Sequence, residues 1–205
     1  MYKYPVIVFE GIETSGKSTY INKVSDYLNK INRKFIKLRE PGGSKYSEII
    51  RNLVLSNKSK LSFKSDLLMI MASRSENVDK LLKVNYGKKI ILIDRFTDST
   101  IAYQHYGLGI DLSLIKKINN FVIGNFKPDI TFLCTVNNNN MIKRLKKRKL
   151  SNKYDKFNYS FYKKVQRGYL KISNSKKKYV LIDTNKKNIK ENSKKIINNL
   201  IKLIN

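Results

Sequence analysis

The stretch Val6-Ile7-Val8-Phe9-Glu10-Gly11-Ile12-Glu13-Thr14-Ser15-Gly16-Lys17-Ser18 decides the reading of this chain. Val6 to Phe9 read as a buried strand. The residues after Ser18 carry helical spacing, with Ile21, Val24, Leu28 and Ile31 on one face. Between strand and helix, Gly11 to Ser18 fits the GxxxxGK[ST] pattern of a P-loop. The placement gives the pattern its meaning. Gly11 and Gly16 permit a tight turn in which successive N–H groups converge on phosphate oxygens, backed by the positive end of the following helix. Lys17 would then reach the β- and γ-phosphates of a nucleoside triphosphate, and Ser18 would ligate Mg²⁺.

Working outward, Ile90 to Ile93, Ile130 to Val136 and Tyr179 to Ile182 are further apolar runs, and Phe35 to Leu38 is a weaker fifth. Helical patterns separate them, including Leu112, Ile115, Ile118 and Val122, and a long one from Ser62 to Val84 with Ser62 or Ser65 as caps. The expected fold is α/β, a P-loop three-layer sandwich with a five-stranded parallel sheet flanked by helices and ligands at the carboxyl ends of the strands. The 205 residues fit a single domain. Lys143 to Lys156 is dense in charge and reads as a helix end running into a mobile loop. Asn185 to Asn205 reads as an amphipathic helix packed on the sheet.

Lys and Arg total 43 against 15 acidic residues, a net charge of +28. Taken alone, that points to nucleic acid or an anionic membrane. Yet Ile, Lys and Asn, all with AT-rich codons, make up 83 of 205 residues, while Ala occurs twice. We read much of the lysine excess as base composition. Only 8 of the basic residues are Arg, the type that bidentate phosphate or base recognition favours, so no specific nucleic-acid partner is expected. A single Cys134 in an apolar run excludes a disulfide framework and a zinc cluster. No apolar stretch reaches the roughly 20 residues of a spanning helix and no signal-peptide layout opens the chain, so a cytoplasmic protein with no membrane partner is expected.

Asn152-Lys153-Tyr154-Asp155 spells the NKxD of guanine recognition, but it follows a basic run rather than a hydrophobic strand, and the chain has no Asp-x-x-Gly. A GTPase switch is therefore disfavoured. Two other runs carry more. Asp94-Arg95-Phe96 ends a strand with a carboxylate that suits Mg²⁺ and a guanidinium that suits phosphate, and Arg39-Glu40-Pro41-Gly42-Gly43 sets another Arg beside glycine-freed backbone. Two phosphate-seeking arginines outside the P-loop suggest a second phosphorylated ligand.

Together these runs resemble the thymidylate kinase family, in its bacterial-type branch of the P-loop nucleoside monophosphate kinases. The resemblance covers nearly the whole chain. It rests on Glu10 to Ser18, Arg39 to Gly43, Asp94-Arg95-Phe96 with Ser99 and Ala102-Tyr103-Gln104, and Lys127-Pro128-Asp129 before a strand. It implies that Gly11, Ile12, Glu13, Thr14, Ser15, Gly16, Lys17, Ser18 and Thr19 bind ATP. It also implies that Glu13, Arg39, Ile70, Arg74, Arg95, Ser99, Tyr103 and Gln104 form the dTMP site, with Ser18 and Asp94 at the metal. Arg74 would meet the thymine base and Tyr103 would crowd the ribose 2′ position. Departures are Ile70 where the family commonly stacks an aromatic on thymine, Phe96 for Tyr, Thr135 for Asp and Gln166 for Arg.

Phosphoryl transfer spreads negative charge over the equatorial oxygens, so a kinase needs cations there and water kept out. No cation precedes Lys17 within the loop. The resemblance implies a lid over about 143–157 in this place, with Arg148 and Arg144 as the leading catalytic cations beside Lys17 and Asp94, and Lys153 second because it lacks a planar fork. The activity implied is transfer of the γ-phosphoryl group of ATP to dTMP, giving dTDP and ADP, by a homodimer that uses Mg²⁺. Another nucleoside monophosphate or deoxynucleoside kinase, kept open by Ile70, and a P-loop nucleic-acid-binding protein, favoured by charge alone, are the alternatives.

Overall fold

The computed structural model describes residues 3–148, 152–186 and 188–204. Five strands, β1 (Val6–Glu10), β2 (Phe35–Arg39), β3 (Ile90–Asp94), β4 (Ile130–Thr135) and β5 (Tyr179–Asp183), form one sheet in the order β2-β3-β1-β4-β5. Every pairing is parallel. Central β1 is buried throughout, as its unbroken apolar run requires. The weaker run Phe35 to Leu38 becomes an edge strand, where Lys37 reaches solvent and donates to Asn22.

Nine helices surround the sheet among the described residues: α1 (Lys17–Lys30), α2 (Lys45–Leu55), α3 (Phe63–Asn77), α4 (Lys83–Asn85), α5 (Thr97–Thr100), α6 (Leu112–Ile123), α7 (Asn138–Lys146), α8 (Tyr159–Asn174) and α9 (Ile189–Ile204). The long pattern from Ser62 is one continuous rod, α3 passing through a π-helical turn (Val78–Leu82) into α4, and Ser62 caps it by accepting from Ser65 N. A second π-helical turn (Ile101–Gly107) extends α5.

Alternation along the strands sorts the core into two faces. Ile7 and Phe9 meet Ile21, Val24 and Leu28 of α1 and Ile196, Leu200 and Ile204 of α9. Val6 and Val8 point the other way, toward Val78, Leu82 and Phe96. The result is a three-layer arrangement. Cys134 is buried on the α1 and α9 face, where burial pushes its thiol up to about 12. The start of β1 is pinned by Asp129, which accepts from Val6 N at 2.8 Å. Among the described residues no helix is long and apolar enough to cross a membrane.

In the basic segment, α7 ends at Lys146 and a 3₁₀ turn spans Lys153–Lys156, while residues 149–151 of the expected lid lie outside the described residues. Within that turn the NKxD tetrad is a capping box: Asn152 accepts from Tyr154 N at 2.8 Å, and Asp155 accepts from Asn152 N at 2.8 Å. The described part of the expected mobile loop is therefore a locally capped turn.

Candidate active site

The register places the ends of β1, β3 and β2 side by side, with Phe9 opposite Asp94 and Asp94 opposite Arg39. The loop after β1 is thus flanked by the residues that follow the other two strands. Gly11 has φ +140°, and a Cβ there would come within 2.3 Å of the Cys134 carbonyl oxygen, so no side chain fits. Lys17 is folded onto the loop, its Nζ donating to Gly11 O at 3.0 Å and Ile12 O at 2.9 Å. Burial, and then the like charge of Arg95, hold its ammonium below the usual lysine range, against Asp94 and Glu13.

Ser18 Oγ donates to Asp94 Oδ2 at 3.3 Å, while Asp94 Oδ1 is buried with no hydrogen-bond partner among the described residues. An orphaned carboxylate oxygen beside a hydroxyl is a donor set that fits Mg²⁺, which takes one or two protein carboxylates and fills the rest of its shell with water and phosphate.

Arg95 sits at φ +69°, in the left-handed region. Its Nη1 donates to Gly11 O at 2.8 Å and Tyr169 OH at 3.2 Å, and its Nη2 to Glu13 Oε2 at 2.7 Å. Tyr103 OH donates to the same Glu13 oxygen, and the Arg95 guanidinium lies over the Tyr103 ring, 5.1 Å from its centroid. Burial works against ionisation of Glu13, but Arg95 and Lys17 outweigh it and hold the carboxyl below its usual range.

A cleft of about 420 Å³ opens beside this cluster. It gathers Glu13, Lys17, Ser18, Arg39, Ile70, Arg74, Asp94, Arg95, Ser99, Tyr103, Gln104 and Arg148. A second cleft of about 470 Å³ is lined by Thr14, Ser15, Gly16, Lys17, Ser18, Thr19, Tyr20, Arg144, Thr184, Lys186 and Ile189. Thr14, Lys17 and Ser18 line both.

The residues assigned from sequence differ in what they are free to do. Arg39 is 55% exposed and pairs with Glu48 at 3.1 Å. Arg74 borders the cleft but is 1% exposed, and its five N–H donors go to protein acceptors. Glu40 takes the Nε–H at 2.7 Å, Asn119 and the Met71 sulfur take Nη1, and Phe96 O and Thr100 take Nη2. A direct bond from Arg74 to a base would require one of these to open. Ile12 is core, 1% exposed. Arg144 lies in the second cleft, donating to Thr14 O at 3.1 Å and Thr184 O at 2.5 Å. Arg148 pairs with Asp155 at 3.1 Å on the first cleft. Lys153 turns to Asp66 instead of the P-loop.

Sequence reasoning missed Arg51, Asn152 and Tyr154, which line the first cleft. Arg51 donates to Pro41 O at 2.6 Å, and burial, then the Arg39 charge, lower its guanidinium to about 10. Of the departures from the family pattern, Gln166 accepts from Val136 N at 3.4 Å, and Thr135 Oγ1 donates to Ile182 O at 3.5 Å.

Two clefts sharing a P-loop wall, one of them rimmed by guanidinium groups, are the arrangement of a P-loop nucleotide kinase. The family model described as thymidylate kinase matches residues 9–196, and the chain belongs to that family. Thymidylate kinase of Sulfurihydrogenibium sp. strain YO3AOP1 is 39% identical over 180 residues, covering 86% of this chain and 87% of that one. Thymidylate kinase of Mycoplasma capricolum is 38% identical over 185 residues, covering 88% and 87%. The crystal structure of thymidylate kinase from Ehrlichia chaffeensis superimposes with a TM-score of 0.78 at 36% identity, covering 96% of this chain and 97% of that one.

Proposed function

We infer that this chain transfers the γ-phosphoryl group of ATP to dTMP, giving dTDP and ADP. The observation that carries the reading is the shared wall: Thr14, Lys17 and Ser18 border a cleft holding Arg144 and another holding Arg95, Glu13 and Tyr103. Donor and acceptor phosphates placed in the two clefts meet across that wall.

The acceptor is already an anionic phosphate, so no base is needed to activate it, and catalysis is positioning and charge stabilisation. Lys17 leaves the loop carbonyls for the donor phosphates. Arg95 and Arg39 hold the acceptor phosphate, with Arg51 beside them. Glu13 orients Arg95 and Tyr103, and Tyr103 stands where a ribose 2′-hydroxyl would crowd it. Ser18 and Asp94 would hold Mg²⁺, which when bound neutralises charge on the donor phosphates. Residues 143–157 act as the lid of a single domain, bringing Arg148 to the transferring group and shutting out water.

We read the enzyme as a homodimer, supported by exposed apolar side chains on neighbouring helices: Ile49 and Leu53 of α2, Leu68 of α3, and Leu114 and Phe121 of α6, the last 89% exposed. A cytoplasmic place suits it, since both substrates are highly charged. Ile70 favours a second reading, a kinase whose acceptor base is not thymine, because an aliphatic contact replaces a stacked ring. A coupled ADP-release assay across dTMP, dUMP, dCMP, dGMP and AMP separates the two. Turnover with dTMP far above the others is expected; a preference for another monophosphate would overturn the dTMP assignment.

A further inference from the structure

Glu10, the last residue of β1, is fully buried and forms no ion pair within 4.0 Å among the described residues. A carboxylate in such a place is costly. Burial, with Asp98 adding to it, pushes its carboxyl above the usual range. It lines neither cleft.

What Glu10 does hold is the frame around Arg95. Its Oε1 accepts from Phe96 N at 2.9 Å and Ser99 N at 3.2 Å, so it fixes the turn directly after Arg95. Its Oε2 accepts from Ser99 Oγ at 2.5 Å, with Tyr169 OH at 3.2 Å. Both hydroxyls abut the guanidinium, Ser99 Oγ at 3.4 Å and Tyr169 OH at 3.2 Å from Arg95 Nη1. Arg95 keeps a left-handed backbone that disfavours any side chain, and such a conformation persists only where its surroundings impose it. One carboxylate therefore secures the backbone that follows Arg95 and orients the two hydroxyl oxygens that receive its N–H groups.

We propose that Glu10 is a positioning residue that presets Arg95 for the phosphate of the acceptor. This rests on the reading above that Arg95 holds that phosphate. The carboxylate form matters because all its partners are donors. A Gln side chain would set an amide N–H₂ against either the two backbone N–H groups or the two hydroxyls. In the second case Ser99 and Tyr169 must turn their protons, and Arg95 loses the lone pairs it donates into.

The test compares binding of dTMP and thymidine, without ATP, by calorimetry. The ratio of their dissociation constants isolates recognition of the phosphate from recognition of base and sugar, which a merely structural role would move together. Arg95→Ala should collapse the ratio. Glu10→Gln should cut it by about tenfold or more, the scale of a hydrogen bond to a charged group, with thymidine binding held within about twofold. Tyr169→Phe, which removes one hydroxyl, should reduce it in part and stands in for Glu10→Gln should that variant fail to fold. If Arg95→Ala collapses the ratio while Glu10→Gln leaves it at the wild-type value, the proposal is overturned. An unchanged ratio in folded Tyr169→Phe overturns it likewise. A wild-type ratio in Arg95→Ala overturns the reading of Arg95 itself, and the proposal with it.

Discussion

Lys153 donates to both carboxylate oxygens of Asp66, at 2.6 and 2.5 Å, fastening the turn after the basic run to the first half of α3. The side chains are 15% and 2% exposed. The same turn and its cap carry Tyr154 and Asn152 against the first cleft, and α3 carries Ile70 and Arg74 there, so the pair joins two walls of one cleft.

From that pair a stability effect follows. Lys153→Met strands a buried carboxylate whose remaining side-chain hydrogen bond among the described residues is from Tyr154 OH at 3.5 Å, and breaking a buried ion pair from one side costs about 3–5 kcal/mol. Asp66→Asn should cost less, because the lysine can swing to solvent. Urea unfolding of both variants checks the order. A Lys153→Met enzyme with unchanged stability and a large loss of kcat would return Lys153 to the catalytic cations.

The Arg95–Glu13 pair sets a pH expectation. Glu13 has its carboxyl held below its ordinary value of 4.5 in the folded state, the cost of burial being outweighed by Arg95 and Lys17. A depressed acid stabilises the fold at pH values above its unfolded value and loses that contribution as pH falls through the folded one. The stability difference between wild type and Glu13→Gln should be flat from pH 7 to about 4.5 and shrink below it. Urea titrations along that range measure it; a difference that shrinks already between pH 7 and 5 would contradict the pairing.

The sheet was legible because each strand is a short apolar run bounded by polar residues, and β1 announces both itself and the loop after it. The weakest run, β2, lies at one edge of the sheet, opposite β5 at the other. The wall shared by the two clefts followed from one local motif. The first cleft was harder, since it is assembled from α2, α3, the turn after β3 and the 3₁₀ turn with its cap, whose contacts are set by packing rather than spacing. A compositional signal was nonetheless present. In a chain with 35 Lys and 8 Arg, six arginines line the two clefts, Arg39, Arg51, Arg74, Arg95 and Arg148 in one and Arg144 in the other. That rule points to Arg51, though equally to Arg33 and Arg167, which line neither cleft. What no such rule reveals is which donors are already spent, as with Arg74, or that Lys153 would find Asp66.

Ile70 tests how the acceptor base is held. It is 9% exposed and packs in one cluster with Val54, Tyr103 and Tyr154. Ile70→Phe should lower the acceptor KM, up to the roughly 1–3 kcal/mol of a stacked base, if the ring turns into the cleft. The competing outcome is overpacking, at about 1–3 kcal/mol of stability. KM and melting temperature measured together decide, and a destabilised variant with unchanged KM would assign Ile70 to the core.

Arg144 and Arg148, the two arginines proposed for the lid, were ranked together by sequence alone and can be separated. Arg144 is already seated in the second cleft, bonded to Thr14 O and Thr184, so if that cleft takes the donor its loss should be felt by bound ATP before any chemistry begins. Arg148 faces the acceptor cleft and is held by Asp155, 39% exposed and free to exchange that partner for a phosphoryl oxygen. An interaction made only as the group transfers lowers kcat and leaves KM for ATP nearly unchanged, whereas one made to bound substrate raises KM. Arg144→Ala should therefore raise KM for ATP. Arg148→Ala should lower kcat by up to the roughly 10³-fold that a catalytic arginine supplies, with Arg148→Lys recovering part of it, since a point charge lacks the bidentate fork. Lys60→Ala, on an exposed loop and lining neither cleft, is the control for scattered charge. Steady-state kinetics on the four variants give the answer: identical profiles for Arg148→Ala and Lys60→Ala would remove Arg148 from the reaction, and a kcat effect confined to Arg144→Ala would exchange the two roles.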